Sequence, residues 1–431
     1  MSQELMERLL AGRLADPDGG GLLAVPTRSV AIAPSLAGRE AALLTRLELG
    51  KNLSVVSDPT TRRVLGARVA QALGSGAREV VLDEAPHADR DTVERLRAQT
   101  GESEALIAVG SGTINDLCKY AAHLDGKPYA VFGTAPSMNG YSSGSAAITE
   151  QGHKKSLPAQ APRGVFLDLT VLSQAPVRMI RSGLGDSLCR PTAQADWLLA
   201  HLLLGQAYRT APFVLLAADE AALFAGAGKL VAGDLGAMEL LARTLVLSGF
   251  GMTISGGSYP ASQGEHLISH YLDMRGDSAW PRSFHGEHIA VTTLTMAQLQ
   301  ERILSGPPPT LSATRADEAA LRAHFGEELG ASCWQAFARK RLDEGAAQEL
   351  SARLAEDWDA IRDALRAVLL PAARLRAVLE AAGAPTQPEQ IGVPPAVYRQ
   401  AVLHAREIRD RYTFLDLAGD AGLLESLAVA A

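Results

Sequence analysis

Short apolar runs alternate with polar, helix-forming stretches through the first third of the chain. LSVVS (53–57), EVVL (79–82), ALIAV (105–109) and YAVF (129–132) are short and β-rich. Helical stretches run from Asp58 to Gly74, over 90–100 and over 114–124. Apolar strands separated by helices predict a buried parallel sheet with helices on both faces. SVAIA (29–33) and VFLDL (165–169) are further strand candidates. Residues 1–20 read as a short helix ending at Gly19-Gly20-Gly21, and 37–49 as a helix closed by Gly50. After about residue 176 strand-like runs vanish. Segments rich in Ala, Leu, Arg and Glu take over at 192–206, 211–230, 233–249, 286–304, 315–328, 345–369, 372–382 and 395–411, all with helical periodicity. The pattern divides the chain into an α/β domain over 1–175 and an all-α domain over 176–431, with a ligand cleft between them.

A length of 431 residues fits two cores better than one. The net charge of −7 gives no basic footprint for nucleic acid. Cys118, Cys189 and Cys333 are odd in number and widely spaced, which argues a reducing compartment without disulfides. The opening MSQELMERLLAGRLADPDGG is charged and amphipathic, unlike a signal peptide, and no apolar run has the length of a membrane span. A cytoplasmic protein is expected.

Candidate chemistry concentrates in SGGSYPASQGEHLISHYLDMRGDSAWPRSFHGEHIA (255–290), which holds four of the ten histidines: His266, His270, His285 and His288. His266 and His270 are four apart, so a helix presents them on one face. His285 opens a new segment after a Trp280-Pro281 break. Two imidazoles from adjacent segments plus one carboxylate leave a fourth position open, as catalytic zinc requires. Asp186, in Gly183-Leu184-Gly185-Asp186-Ser187, suits that carboxylate or the N-cap of a following helix. Upstream, the strand at 105–109 runs into Gly110-Ser111-Gly112-Thr113 and then a helix. Such a junction either cradles a pyrophosphate on its free N–H groups or simply turns the chain. It is not the GxGxxG fingerprint. Asp58 ends an earlier strand, where an acid bonds an adenosine ribose hydroxyl or caps the next helix. GTAPSMNGYSS (133–143) is rich in small hydroxyls, as is a loop lying over a polar ligand.

Together and in order, GSGTIND, GTAPSMNGYSS, GLGD and SYPASQGEHLISH…FHGEH resemble the sn-glycerol-1-phosphate dehydrogenases. That family lies in the iron-containing alcohol dehydrogenase, glycerol dehydrogenase and dehydroquinate synthase superfamily. Arg411-Tyr412-Thr413-Phe414-Leu415 is similar to its C-terminal RYT signature. The resemblance implies a dehydroquinate synthase-like fold, with a Rossmann-like NAD(P) domain followed by a helical metal- and substrate-binding domain. It implies one divalent metal, zinc or else nickel or iron, on Asp186, His266 and His285. Gly110, Ser111, Gly112, Thr113 and Ile114 match the pyrophosphate loop, and Thr134, Ser137 and Ser143 match nucleotide contacts. His270 matches a substrate contact, so Asp186, His266, His270 and His285 form the implied catalytic set. Where the family usually carries Asp in its substrate-contacting loop, this chain has Asn139, which keeps hydrogen bonding but not charge.

The implied activity is metal-dependent, NAD(P)H-linked reduction of dihydroxyacetone phosphate to sn-glycerol 1-phosphate, in phospholipid metabolism, by a homo-oligomer. Asp58 tilts the expectation toward NAD over NADP. The alternatives are a dehydrogenase for another phosphorylated polyol, a dehydroquinate synthase-like cyclase, or a catalytically silent nucleotide-binding regulator. Lys154 and Lys155 are candidates for the substrate phosphate, against a plain reading as solvated surface lysines.

Overall fold

A computed structural model describes residues 2–275 and 283–428. The Trp280-Pro281 break lies outside the described residues. The chain begins with a helix, Ser2–Leu10, and then a small antiparallel pair, β1 (Leu14–Ala15) with β2 (Leu22–Leu23). The helix expected over 1–20 is therefore shorter; Gly12 takes a left-handed φ of 62° just past its end.

The alternating apolar runs become a six-stranded sheet. Its members are β3 (Ser29–Ala33), β4 (Leu53–Ser57), β5 (Ala77–Val81), β6 (Ala105–Gly110), β7 (Tyr129–Gly133) and β10 (Gly164–Asp168). They lie in the order β3-β10-β7-β6-β4-β5 and every pairing is parallel. β4, β6, β7 and β10 are buried along their whole length, which is why they read as continuous apolar runs rather than alternating ones. β5 is an edge strand and keeps the polar Arg78 and Glu79 exposed. The order reverses between β4 and β6, and ligands of open α/β sheets bind at such switch points. An antiparallel hairpin, β8 (Ser145–Glu150) with β9 (His153–Pro158), stands outside this sheet. Its mixed polarity hid it from the apolar pattern.

Beyond β10 the described chain is helical, as the periodicity predicts. Apolar packing is continuous from the sheet into this region: Val131, Val165 and Leu167 share a cluster with Leu184, Leu241 and Leu245. The Leu235–Ile254 helix corrects one expectation, because its length and composition do qualify it as a membrane span. However, 78% of its most apolar window is buried within the protein, as in a core helix.

Candidate active site

The glycine loop leaves β6 at the switch point. A Cβ on Gly110 would lie 2.6 Å from the Ile114 side chain, so strand end and first helical turn approach too closely for any other residue. Ser111 makes no side-chain cap on the Gly112–Leu124 helix. The first N–H groups are thereby left for a ligand. Ser111, Gly112 and Thr113 line a cavity, as do Ser137, Asn139 and Ser143 from the loop after β7. Four of the expected nucleotide residues do not line it. Gly110 and Ile114 form the packed base of the turn. Thr134 joins the two loops instead, its N–H donating to Gly110 O at 3.1 Å. Asp58 sits at the end of β4, beside β6, and also stands off the cavity. Its carboxylate accepts the Thr61 N–H at 2.7 Å in a reciprocal capping box, so the helix-cap reading is realised in the structure.

The 133–143 loop is tied down from several sides. Tyr141 donates to Ala135 O at 2.6 Å, Ser142 to Val246 O at 2.6 Å and Ser182 to Ser137 O at 2.9 Å. Beneath it lies Lys119, which is fully buried. Its ammonium donates to Gly140 O at 2.6 Å, Ser143 Oγ at 2.9 Å and Ser145 O at 2.9 Å. Burial pushes this lysine down to about 8, with Asp116 opposing.

Asp186 is not an N-cap. It lies in the last turn of the Val177–Ser187 helix, and the next helix, Arg190–Leu204, begins beyond it. The glycines of GLGD mark close helix packing rather than a turn. A Cβ on Gly183 would fall 1.6 Å from Pro136 O, and one on Gly185 would fall 2.3 Å from Gly286 O. Gly286 is equally constrained, 1.9 Å from Ser182 O by the same construction. This glycine contact presses the Val177–Ser187 helix onto the His285–Leu304 helix and brings Asp186 beside His285. Arg178 locks the pair with two bonds of 2.8 Å to Glu287.

The ligating atoms of Asp186, His266 and His285 all lie within 4.8 Å of one another. Asp186 Oδ2 accepts the Asn139 backbone N–H at 2.7 Å. Its Oδ1 is buried without a hydrogen-bond partner and lies 3.6 Å from His266 Nε2 and 3.9 Å from His285 Nε2. An orphaned carboxylate oxygen facing two imidazole nitrogens fits a divalent cation with mixed N/O ligands. Burial raises the Asp186 carboxyl, but the contact with His266 and the charges of His285 and His266 outweigh it, and the net shift is downward. Burial pushes His285 down to about 3, leaving the neutral imidazole that ligation needs. Glu265, fully buried, lies 2.9 Å from His266 Nδ1 and thereby turns Nε2 toward Asp186. Cys189 Sγ is also close, but burial raises that thiol well above its ordinary value and it bonds to Asp186 O at 3.1 Å. It backs the centre as a neutral thiol.

His270 lines the cavity with its ring 6.0 Å from that of His266 and 6.1 Å from that of His285. Its Nδ1 has no hydrogen-bond partner, and burial holds it neutral. His288 turns elsewhere, toward Ser283 and Asp273. Lys154 departs from the solvated reading, since on β9 it lines the cavity and pairs with Asp273 at 2.6 Å. Lys155 faces Glu150 at 3.4 Å and does not line it. Glu265 and Lys119 escaped sequence reasoning. The first was signalled by adjacency to His266, the second by its place three residues after Asp116 on the helix behind the glycine loop.

A parallel sheet with a glycine loop at its switch point, lining one cavity with two histidines and a carboxylate on helices, is the arrangement of a metal-dependent, NAD(P)-linked oxidoreductase. The family model for iron-containing alcohol dehydrogenase matches residues 31–176. The glycerol-1-phosphate dehydrogenase (NAD(P)+) of Thermococcus kodakarensis is 31% identical over 274 residues, covering 63% of this chain and 77% of that protein. The enzyme of the same name from Geobacillus stearothermophilus is 30% identical over 341 residues, 78% of this chain and 76% of its own. That of Bacillus licheniformis is 29% identical over 385 residues, 88% of this chain and 85% of its own. Among solved structures, Corynebacterium glutamicum iron-containing alcohol dehydrogenase shares the fold with a TM-score of 0.61 at 17% identity, covering 94% of this chain and 98% of that one. The chain belongs to the glycerol-1-phosphate dehydrogenase family within the iron-containing alcohol dehydrogenase superfamily.

Proposed function

We propose that this enzyme interconverts dihydroxyacetone phosphate and sn-glycerol 1-phosphate, using NAD in preference to NADP and a zinc ion held by Asp186, His266 and His285. The observation that carries this reading is the convergence of those three side chains, with Asp186 Oδ1 unpartnered, in the cavity that the glycine loop also lines. When bound, the ion supplies Lewis-acid polarisation of the substrate carbonyl and the reduced dinucleotide supplies hydride. The chain does the positioning. Ser111, Gly112 and Thr113 offer open N–H groups to the pyrophosphate. Ser137 and Ser143 border the nucleotide path, and Asn139 holds a substrate hydroxyl. His270, neutral and with Nδ1 free of protein partners, holds a second hydroxyl or passes the proton taken up by the product oxygen. Asp58, by its charge at the end of β4, disfavours the extra phosphate of NADP.

The test is a screen of phosphorylated ketones with NADH and NADPH on metal-replete enzyme, with chiral analysis of the product. Reduction of dihydroxyacetone phosphate to the sn-1 product with NADH is expected. Absence of turnover on every phosphorylated ketone would sink the proposal, and tighter binding of NADPH than NADH would sink its cofactor preference. Asn139 supports one second reading, a dehydrogenase for a different polyol phosphate, which the same screen separates.

A further inference from the structure

The cavity wall beside the start of the Gly264–Met274 helix carries the hydroxyls of Ser258 and Ser262. Behind it stand two arginines from the segment that includes the RYT sequence. Arg411 is buried and donates to Ser258 Oγ at 2.9 Å, to Ser258 O at 3.3 Å and to Ser262 O. Arg409 donates to Ser262 Oγ at 3.5 Å. Every one of these acceptors is neutral. Among the described residues neither arginine has a carboxylate within 4.0 Å. Burial, with Arg409 adding to it, pushes Arg411 down to about 9. Arg411 is buried with its nearest acids, Asp410 and Glu265, beyond ion-pair distance, and the half-buried Arg409 adds a second positive charge beside it, so this side of the cavity calls for an anion. The serines supply the link. A hydroxyl that accepts from a guanidinium is left with its own proton to donate, and neither Ser258 nor Ser262 donates to a protein acceptor among the described residues. Lys154, another cation on the wall, is already matched by Asp273 at 2.6 Å.

We propose that Ser258, Ser262 and Arg409, backed by Arg411, form the subsite for the dianionic phosphate of the substrate. This rests on the reading that the substrate is a phosphorylated ketone. The serine hydroxyls donate to phosphate oxygens, and the two guanidiniums supply the balancing charge through them and at short range.

The test compares Arg409→Gln with wild type, as metal-replete enzyme with saturating NADH. Arg409 is only half-buried, so this variant keeps the fold; Ser258→Ala is the second probe. KM for dihydroxyacetone phosphate should rise about tenfold or more in Arg409→Gln, with kcat changed far less, while KM for unphosphorylated dihydroxyacetone stays near wild type. Inhibition by inorganic phosphate, and its direct binding by calorimetry, should weaken in parallel. Unchanged phosphate binding and KM in both variants would overturn the subsite while leaving the proposed reaction standing. So would loss of phosphate binding in Lys154→Gln alone, or no phosphate binding to wild type. A wild type that turns over no phosphorylated ketone, yet binds phosphate through Arg409, would keep the subsite and refute the substrate.

Discussion

Replacing Glu265 with glutamine exchanges one atom in the layer behind the proposed metal centre. Glu265 Oε1 lies 2.9 Å from His266 Nδ1 and also accepts the Gln263 N–H at 2.8 Å. A carboxylate there keeps the proton on Nδ1, so that the Nε2 lone pair is available toward Asp186. The amide oxygen of glutamine can hold both of those donors. The amide nitrogen would replace Oε2, which faces Thr192 Oγ1 at 3.4 Å, and that hydroxyl already donates to Cys189 O at 2.9 Å and can accept. Geometry therefore survives and the negative charge is lost. Removing an outer partner of this kind lowers metal affinity about 10- to 100-fold. That is about 1.4–2.7 kcal/mol of binding free energy. Competition titration of zinc against a chromophoric chelator measures it directly, with circular dichroism and the melting temperature of the metal-free protein as controls. An affinity within about threefold of wild type, in a folded variant, would refute the role assigned to Glu265.

Asn139→Asp should change the ratio of kcat/KM for dihydroxyacetone phosphate against other phosphorylated ketones by about tenfold or more, as loss or gain of a charge-assisted hydrogen bond does; equal change on all substrates would count against a substrate contact. Gly286→Ala forces a Cβ to within 1.9 Å of Ser182 O, so thermal denaturation should show about 1–3 kcal/mol of destabilisation and metal analysis a substoichiometric ion. Lys119 titrates near 8 in the folded protein against 10.5 when free, so between those values the unfolded chain binds the extra proton. Its contribution to stability therefore grows as pH rises from about 8 toward 10.5, and Lys119→Met should lack that increment in paired urea titrations.

The parallel sheet was readable because its central strands are buried on both faces and so carry uninterrupted apolar runs. The β8–β9 hairpin was not, because one of its faces, with Ser145, Ala147, Lys154 and Ser156, lines the cavity rather than the core. The histidines of the proposed centre stood out as chemistry-bearing types at helical spacing. Asp186 was proposed from its own motif as either the site carboxylate or an N-cap, and the family resemblance matched it to the metal ligands, but its local structure was misjudged: Gly183 and Gly185 suggest a turn to any rule that treats glycine as a helix breaker. Only the tertiary contact explains them, since each glycine removes a side chain where another backbone passes. Glu265 and Lys119 had only positional signals, adjacency to His266 and a place on the helix behind the glycine loop, and neither signal states a role. Their roles are set by what lies above them in space, the His266 ring and the 139–145 backbone, and local sequence does not encode that neighbour.

The 133–143 loop serves two functions through different atoms of one residue. The Asn139 N–H fixes Asp186 Oδ2 at 2.7 Å, and any residue but proline supplies that bond. The Asn139 side chain lines the cavity and makes no part of that contact. A change from Asp to Asn at this position therefore alters the cavity wall proposed to meet the substrate, while leaving the orientation of Asp186 to the backbone. The ligand spacing is held separately, by the contact of Gly183 and Gly185 with Pro136 and Gly286 and by the Arg178–Glu287 pair. Asn139→Asp should accordingly leave the geometry of the metal centre in place, and zinc affinity within about threefold of wild type, while substrate preference moves by about tenfold. Joint loss of metal and activity in that variant would show that side chain and centre are coupled after all.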